Sequence, residues 1–164
     1  MGDAGQAIAH LDRGLRVFIE TGGFQYHQEH FTSYPAAAHA IAGDLDTADS
    51  VAREGIALGE SVGFLGATGR ARRVRGLVAA ARANHAEAER WLRDAAADFR
   101  AGEQWFQLSR AELDLAGVLD ACARHAEARE LATEARRGFV TQGNAHWIRR
   151  ADIVLARLAA TGGS

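Results

Sequence analysis

Apolar residues recur along this chain at i, i+3, i+4, i+7 and i+11, the spacing that places them on one face of an α-helix. The same columns return after 40 residues: Ala48/Ala88/Ala128, Val51/Trp91/Leu131, Ala52/Leu92/Ala132, Gly55/Ala95/Ala135 and Gly59/Phe99/Phe139. In places the repetition is almost literal, as in "NHAEAE" at 84–89 and "RHAEAR" at 124–129, with "DLDTAD" at 44–49 as a third copy. Ile8, Leu11, Leu15, Phe18 and Ile19 make a comparable, more divergent stripe near the start. Between these helices a second set of columns keeps the same offset: Phe31/Ala71/Ala111/Ala151, Tyr34/Val74/Asp114/Val154 and Ala38/Val78/Val118/Leu158. The repeating unit is therefore a pair of helices.

The pattern predicts eight helices, near 3–20, 24–42, 45–61, 64–83, 85–101, 104–123, 125–141 and 145–160. Asp44 and Asn84 suit helix N-caps, and Glu87 stands three residues after Asn84 as a capping box requires, a pattern that Arg124 breaks. Gly22, Gly23, Gly63, Gly102 and Gly143 are placed to supply the left-handed residue that closes a helix. Short amphipathic helices cannot each bury a stripe alone, whereas stacked copies of one hairpin bury each other's. The expected architecture is an all-α solenoid of antiparallel hairpins, a single domain over 1–164 with units near 1–43, 44–83, 84–123 and 124–164.

Composition fits this picture. The 164 residues are 48% apolar and include 36 alanines, which suit closely packed helices, and Pro35 is the one proline. A net charge of -2 offers no global attraction to nucleic acid or an anionic membrane, so direct nucleic-acid binding is not expected. All 19 basic residues are arginine, and the absence of lysine excludes an ordinary Walker A nucleotide site. Cys122 is the one cysteine, so no intrachain disulfide forms; its neighbours are alanines, and it reads as a small core residue. No leader-like or membrane-length apolar run occurs, and the expected setting is the cytoplasm. Spacing picks out no catalytic constellation and implies no cofactor.

The strings "LDLAGVLDACARHAEARELATEARRGFVTQGN" (113–144) and "RGLVAAARANHAEAERWLRDAAADFRAGE" (75–103) resemble tetratricopeptide repeats (TPR). The likeness rests on the large-small pair Leu115-Ala116 in the first helix of a unit, and on Ala128, Leu131 and Ala135 in the second. The 40-residue period exceeds the family's usual unit, and Pro35 and Arg75 occupy the large apolar position of the pair. Longer first helices would absorb the extra length. Units of this length are similar to those in bacterial signal-transduction ATPases, cyclases and transcription regulators. The resemblance implies a right-handed superhelix whose groove is lined by the first helix of each pair, and binding of a protein or peptide. It also implies that residues 3–20 form a second-type helix without its partner, so an upstream repeat, a homo-oligomer contact through this helix, or a role as a sensor segment of a larger regulator is the competing expectation.

On that groove the resemblance places His30, Arg70, Arg110 and Arg150, one per unit, with Arg73 a turn after Arg70. Guanidinium groups pair well with carboxylates, so an acidic ligand is implied. Tyr26, Trp105 and Phe106, with Phe24, Phe64 and Trp147, cluster at the starts of first helices, where they either floor a pocket or pack against the preceding hairpin. Charge tells a competing story. Residues 64–82 hold Arg70, Arg72, Arg73, Arg75 and Arg82 without an acid, while 44–60 hold five acids against Arg53, so interhelical salt bridges are an alternative use for the same arginines. His27 and His30 stand at i and i+3, not the i and i+4 of a zinc protease, and no metal site is expected.

Overall fold

The structure is a computed structural model that describes residues 36–161 together with Ala9. The helices expected near 3–20 and over most of 24–42, and the candidate residues Phe24, Tyr26, His27 and His30, lie outside these residues. Within them the chain is helical throughout, with no strand: α1 (36–42), α2 (Leu45–Ser61), α3 (Leu65–Ala81), α4 (His85–Ala101), α5 (Trp105–Ala121), α6 (His125–Thr141) and α7 (Ala145–Thr161). No described helix is long and apolar enough to cross a membrane.

Helices α2 to α7 are each 17 residues long, so the longer first helices expected from the 40-residue unit are not found. The cause is an identical joint between each described helix and the next. Gly43, Gly63, Ala83, Glu103, Ala123 and Gly143, one every 20 residues, all take the left-handed conformation, with φ of 84, 69, 57, 54, 59 and 65°. Each joint is closed by two hydrogen bonds. At the third, Asn84 N–H donates to the Ala79 carbonyl and Ala83 N–H to that of Ala80, both at 2.9 Å, the crossed pair of a Schellman motif. The residue after the left-handed one is already the N-cap of the next helix. Gly102 was expected to fill the closing role but has φ -89°, and Glu103 takes it. The Asp44, Asn84 and Asn144 side chains accept from the backbone N–H of Thr47, Glu87 and Trp147 at 3.2, 3.4 and 3.3 Å, whereas Phe64, Gln104 and Arg124 provide no side-chain cap.

The buried faces follow the repeat columns. Ala48, Ala52, Gly55 and Gly59 on α2, Ala88, Leu92, Ala95 and Phe99 on α4, and Ala128, Ala132, Ala135 and Phe139 on α6 are buried at corresponding positions. Small residues set the separation: a Cβ on Gly76 of α3 would lie 2.6 Å from Leu92 Cγ of α4, so only glycine permits that approach. Each helix packs on its neighbours in sequence, and α5 also packs against both α3 and α7. The second-type helices α4 and α6 approach less closely and are joined by the long side chains of the Arg93–Glu127 ion pair at 2.8 Å. The first-type helices thus crowd together on one side of the stack and the second-type helices spread on the other, which leaves a concave wall made of first-type helices. Cys122, expected in the core, is exposed. The α5 stripe ends at Leu119, and Cys122 is already the C-cap, its N–H bonded to the Val118 and Leu119 carbonyls.

Candidate functional site

Two adjoining cavities run along the concave wall. One, of about 320 Å³, is lined from α1 to α7 by Ala37, Ala40, Ile41, Leu45, Arg73, Leu77, Ala81, Arg110, Asp114, Trp147 and Arg150. The other, of about 340 Å³, shares Leu77, Asp114, Trp147 and Arg150 with it and extends over Ala80, His85, Leu113, Gly117, Val118, Ala121 and Val154. The shared residues make these one continuous groove. Its described lining carries three guanidinium groups, from Arg73, Arg110 and Arg150, against the single carboxylate of Asp114.

The four described arginines of the candidate ladder are held differently. Arg73 Nε donates to Asp114 Oδ2 at 2.6 Å, a half-buried pair that ties α3 to α5 within the groove. Arg110 donates to Gln107 Oε1 at 3.3 Å, and its guanidinium carbon lies 5.8 Å from the Phe106 ring centre and 4.9 Å from that of Trp147. Arg150 is exposed, lies 4.7 Å from the Trp147 ring centre, and forms no ion pair with any described carboxylate. Arg70 lines neither cavity; it bonds Gln104 Oε1 at 3.3 Å and lies 5.8 Å from the centre of Phe64. Arg73, Arg110 and Arg150 therefore come together around Trp147 and Asp114, and Arg70 stands apart.

The aromatics divide. Phe106, Phe139 and Trp147 form a cluster with ring centres 5.4 to 6.1 Å apart, so Phe106 packs between hairpins, as does Trp147 apart from the part of its indole that reaches the groove. Trp105, 55% exposed, lies in a different crevice with Arg100, Glu112 and Arg137, away from the groove. The interhelical salt bridges foreseen for the other arginines are present. Arg72 joins Glu60 of α2 at 2.7 Å and Asp98 of α4 at 2.8 Å, Arg75 joins Asp49 at 2.8 Å while lying 4.2 Å from the Trp91 ring centre, and Arg82 joins Asp46.

Burial opposes ionisation of Asp49, but hydrogen bonds and charge from Arg75 and Arg53 outweigh it and hold the carboxyl below its ordinary range. At Asp98 burial prevails over the charge and hydrogen bonds of Arg72, and the pKa is raised. These pairs fasten helix to helix and leave the concave wall to Arg73, Arg110 and Arg150.

Asp114, Leu77, Gly117, His85 and Val154 also line the groove, beyond the arginine ladder and the aromatics that the sequence marks. A signal existed for some of them. Leu77 and Gly117 stand seven residues after Arg70 and Arg110, on the same helical face, but a mixed column of leucine and glycine carries no charge or aromatic pattern to mark it.

No family model matches the sequence, and no curated protein matches it. Among solved structures, a kinesin light chain-like protein from Podospora anserina with nearly identical TPR-like repeats is similar over 99% of this chain and 90% of its own, with a TM-score of 0.63 at 13% identity. The fold is TPR-like. The concave wall lined by first-type helices is thus the inner wall of a TPR-like α-solenoid.

Proposed function

We propose that this TPR-like domain is a protein-interaction module whose groove holds a peptide segment bearing an acidic group. The observation that carries the reading is Arg150. Its guanidinium is exposed on the concave wall, placed against the Trp147 indole, and not spent on any described carboxylate. Stacking on the ring orients the fork, so less rotamer freedom is lost when a carboxylate arrives. Arg73 and Arg110 raise the local potential, and Asp114 offsets one charge. A hydrogen bond to a charged group contributes about 1.5 to 3 kcal/mol. The 40-residue period supports the long-unit type of repeat found in bacterial regulators as the setting of the module.

The test is an array of acidic and neutral peptides probed with the wild-type protein and with Arg150→Ala, Arg150→Lys and Arg110→Ala variants. Acidic peptides should be captured, and Arg150→Ala should weaken them by about tenfold or more. Lysine keeps the charge but loses the fork, so it should restore only part of the affinity. Capture that does not change in Arg150→Ala and Arg110→Ala would show that the arginines serve the fold alone.

A further inference from the structure

Two kinds of helix-interior glycine occur among the described residues. A Cβ on Gly69, Gly76 or Gly138 would lie 2.8, 2.6 or 2.1 Å from an atom of Phe99, Leu92 or Ser109, so close packing accounts for them. Gly117, inside α5, is different: a Cβ there would meet nothing within 4 Å. Glycine in a helix interior lowers stability relative to alanine, and no described helix requires it at this position.

What the absent side chain leaves is room in the groove. Gly117 lines the cavity of about 340 Å³, whose apolar wall includes Leu77, Leu113, Val118, Trp147 and Val154. One unit earlier the equivalent position is Leu77, which brings a full side chain to the same cavity. Loss of the side chain in the later unit opens a recess opposite Leu77, with Arg150 among its lining residues. The volume is at the low end of the roughly 300 to 1,000 Å³ of small-ligand sites, which suits one bulky side chain better than a cofactor.

Building on the proposed groove function, we infer that Gly117 opens an anchor pocket for an aromatic side chain of the bound segment, adjacent to an acidic residue that meets Arg150. Two features select this occupant. The lining is mostly apolar and includes the Trp147 indole, which favours a ring over a polar chain. Arg150 serves both the cavity and the open groove, so a carboxylate beside the ring reaches it without entering the apolar recess.

The experiment uses short fluorescein-labelled peptides carrying a central Phe–Glu, Ala–Glu or Phe–Gln pair, titrated by anisotropy against wild-type, Gly117→Ala, Gly117→Leu and Arg150→Ala proteins. Wild type should prefer Phe–Glu over Ala–Glu by about tenfold, the worth of burying one large apolar side chain. Gly117→Leu should fill the recess and erase that preference, while Arg150→Ala should erase the preference for Glu over Gln and keep that for Phe. Gly117→Ala should melt no lower than wild type, because its Cβ meets open space. A Gly117→Leu protein that still prefers Phe, or a Gly117→Ala protein that melts lower, overturns the anchor pocket even where Arg150 still counts. Binding of none of the three peptides by wild type would overturn the anchor pocket, and if acidic peptides on the array were also ignored, the groove reading would fall with it.

Discussion

Three of the six joints hold a residue that is poorly suited to its backbone. Ala83, Glu103 and Ala123 sit at φ of 57, 54 and 59°, in the positions that Gly43, Gly63 and Gly143 fill elsewhere. An L-residue in this conformation is disfavoured by about 1 to 2 kcal/mol, because its Cβ crowds the following carbonyl oxygen. Glycine removes that cost and returns about 0.5 to 1 kcal/mol of it through the greater freedom of its unfolded chain. Each of Ala83→Gly, Glu103→Gly and Ala123→Gly should therefore stabilise the domain by about 0.5 to 1 kcal/mol. All three side chains are exposed, so no packing is lost.

The joints are far enough apart for the gains to add, and the triple variant should be more stable by about 1.5 to 3 kcal/mol. At roughly 2 to 4 °C per kcal/mol for a chain of this size, its Tm should rise by about 3 to 12 °C. Thermal melts and urea titrations followed by circular dichroism measure this, with Gly63→Ala as the opposing control that should lose about 1 kcal/mol. If the triple variant melts at or below the wild-type temperature while Gly63→Ala behaves as expected, the identical-joint account is wrong.

Gly76→Ala adds a better helix former yet should destabilise by about 1 to 3 kcal/mol, since its Cβ meets Leu92 Cγ at 2.6 Å; a urea midpoint equal to wild type would show that α3 and α4 can separate freely. Burial pushes the Glu112 carboxyl pKa up, Arg100 at 3.3 Å offsets this in part, and Glu134 adds to the rise. Between the ordinary glutamate pKa and the raised folded value the native state binds more protons than the unfolded chain, so this group makes stability fall as pH rises through that window. Glu112→Gln should remove that part of the slope and leave stability at neutral pH equal or higher, as read from urea midpoints across pH; an unchanged slope would show that the group ionises without penalty.

Part of the site was legible in the sequence. The arginine column at 70, 110 and 150 follows from the 40-residue offset, and Arg110 and Arg150 do line the groove. Arg70 obeys the same offset but meets Gln104 and Phe64, because the side chains around it differ from unit to unit. Trp105 and Phe106 are adjacent in the chain, and helical geometry sends them about 100° apart, one to an exposed crevice and one to the aromatic cluster. Gly117 carries no sequence signal that separates it from Gly76, since only the distance to the next helix tells a packing glycine from an open one.

Periodicity along a single chain was enough to determine the helical pair, its repetition, and the stripe each helix buries, because each of these is a property of local order. It did not determine the 20-residue joint, since glycine, alanine and glutamate all occupy the same left-handed position there and composition conceals the conformation. Nor did it decide which arginines face the groove and which fasten helices together. That division depends on which acid from another helix lies within reach, as Asp98 does for Arg72 and Asp114 for Arg73, and such distances exist only once the hairpins are stacked.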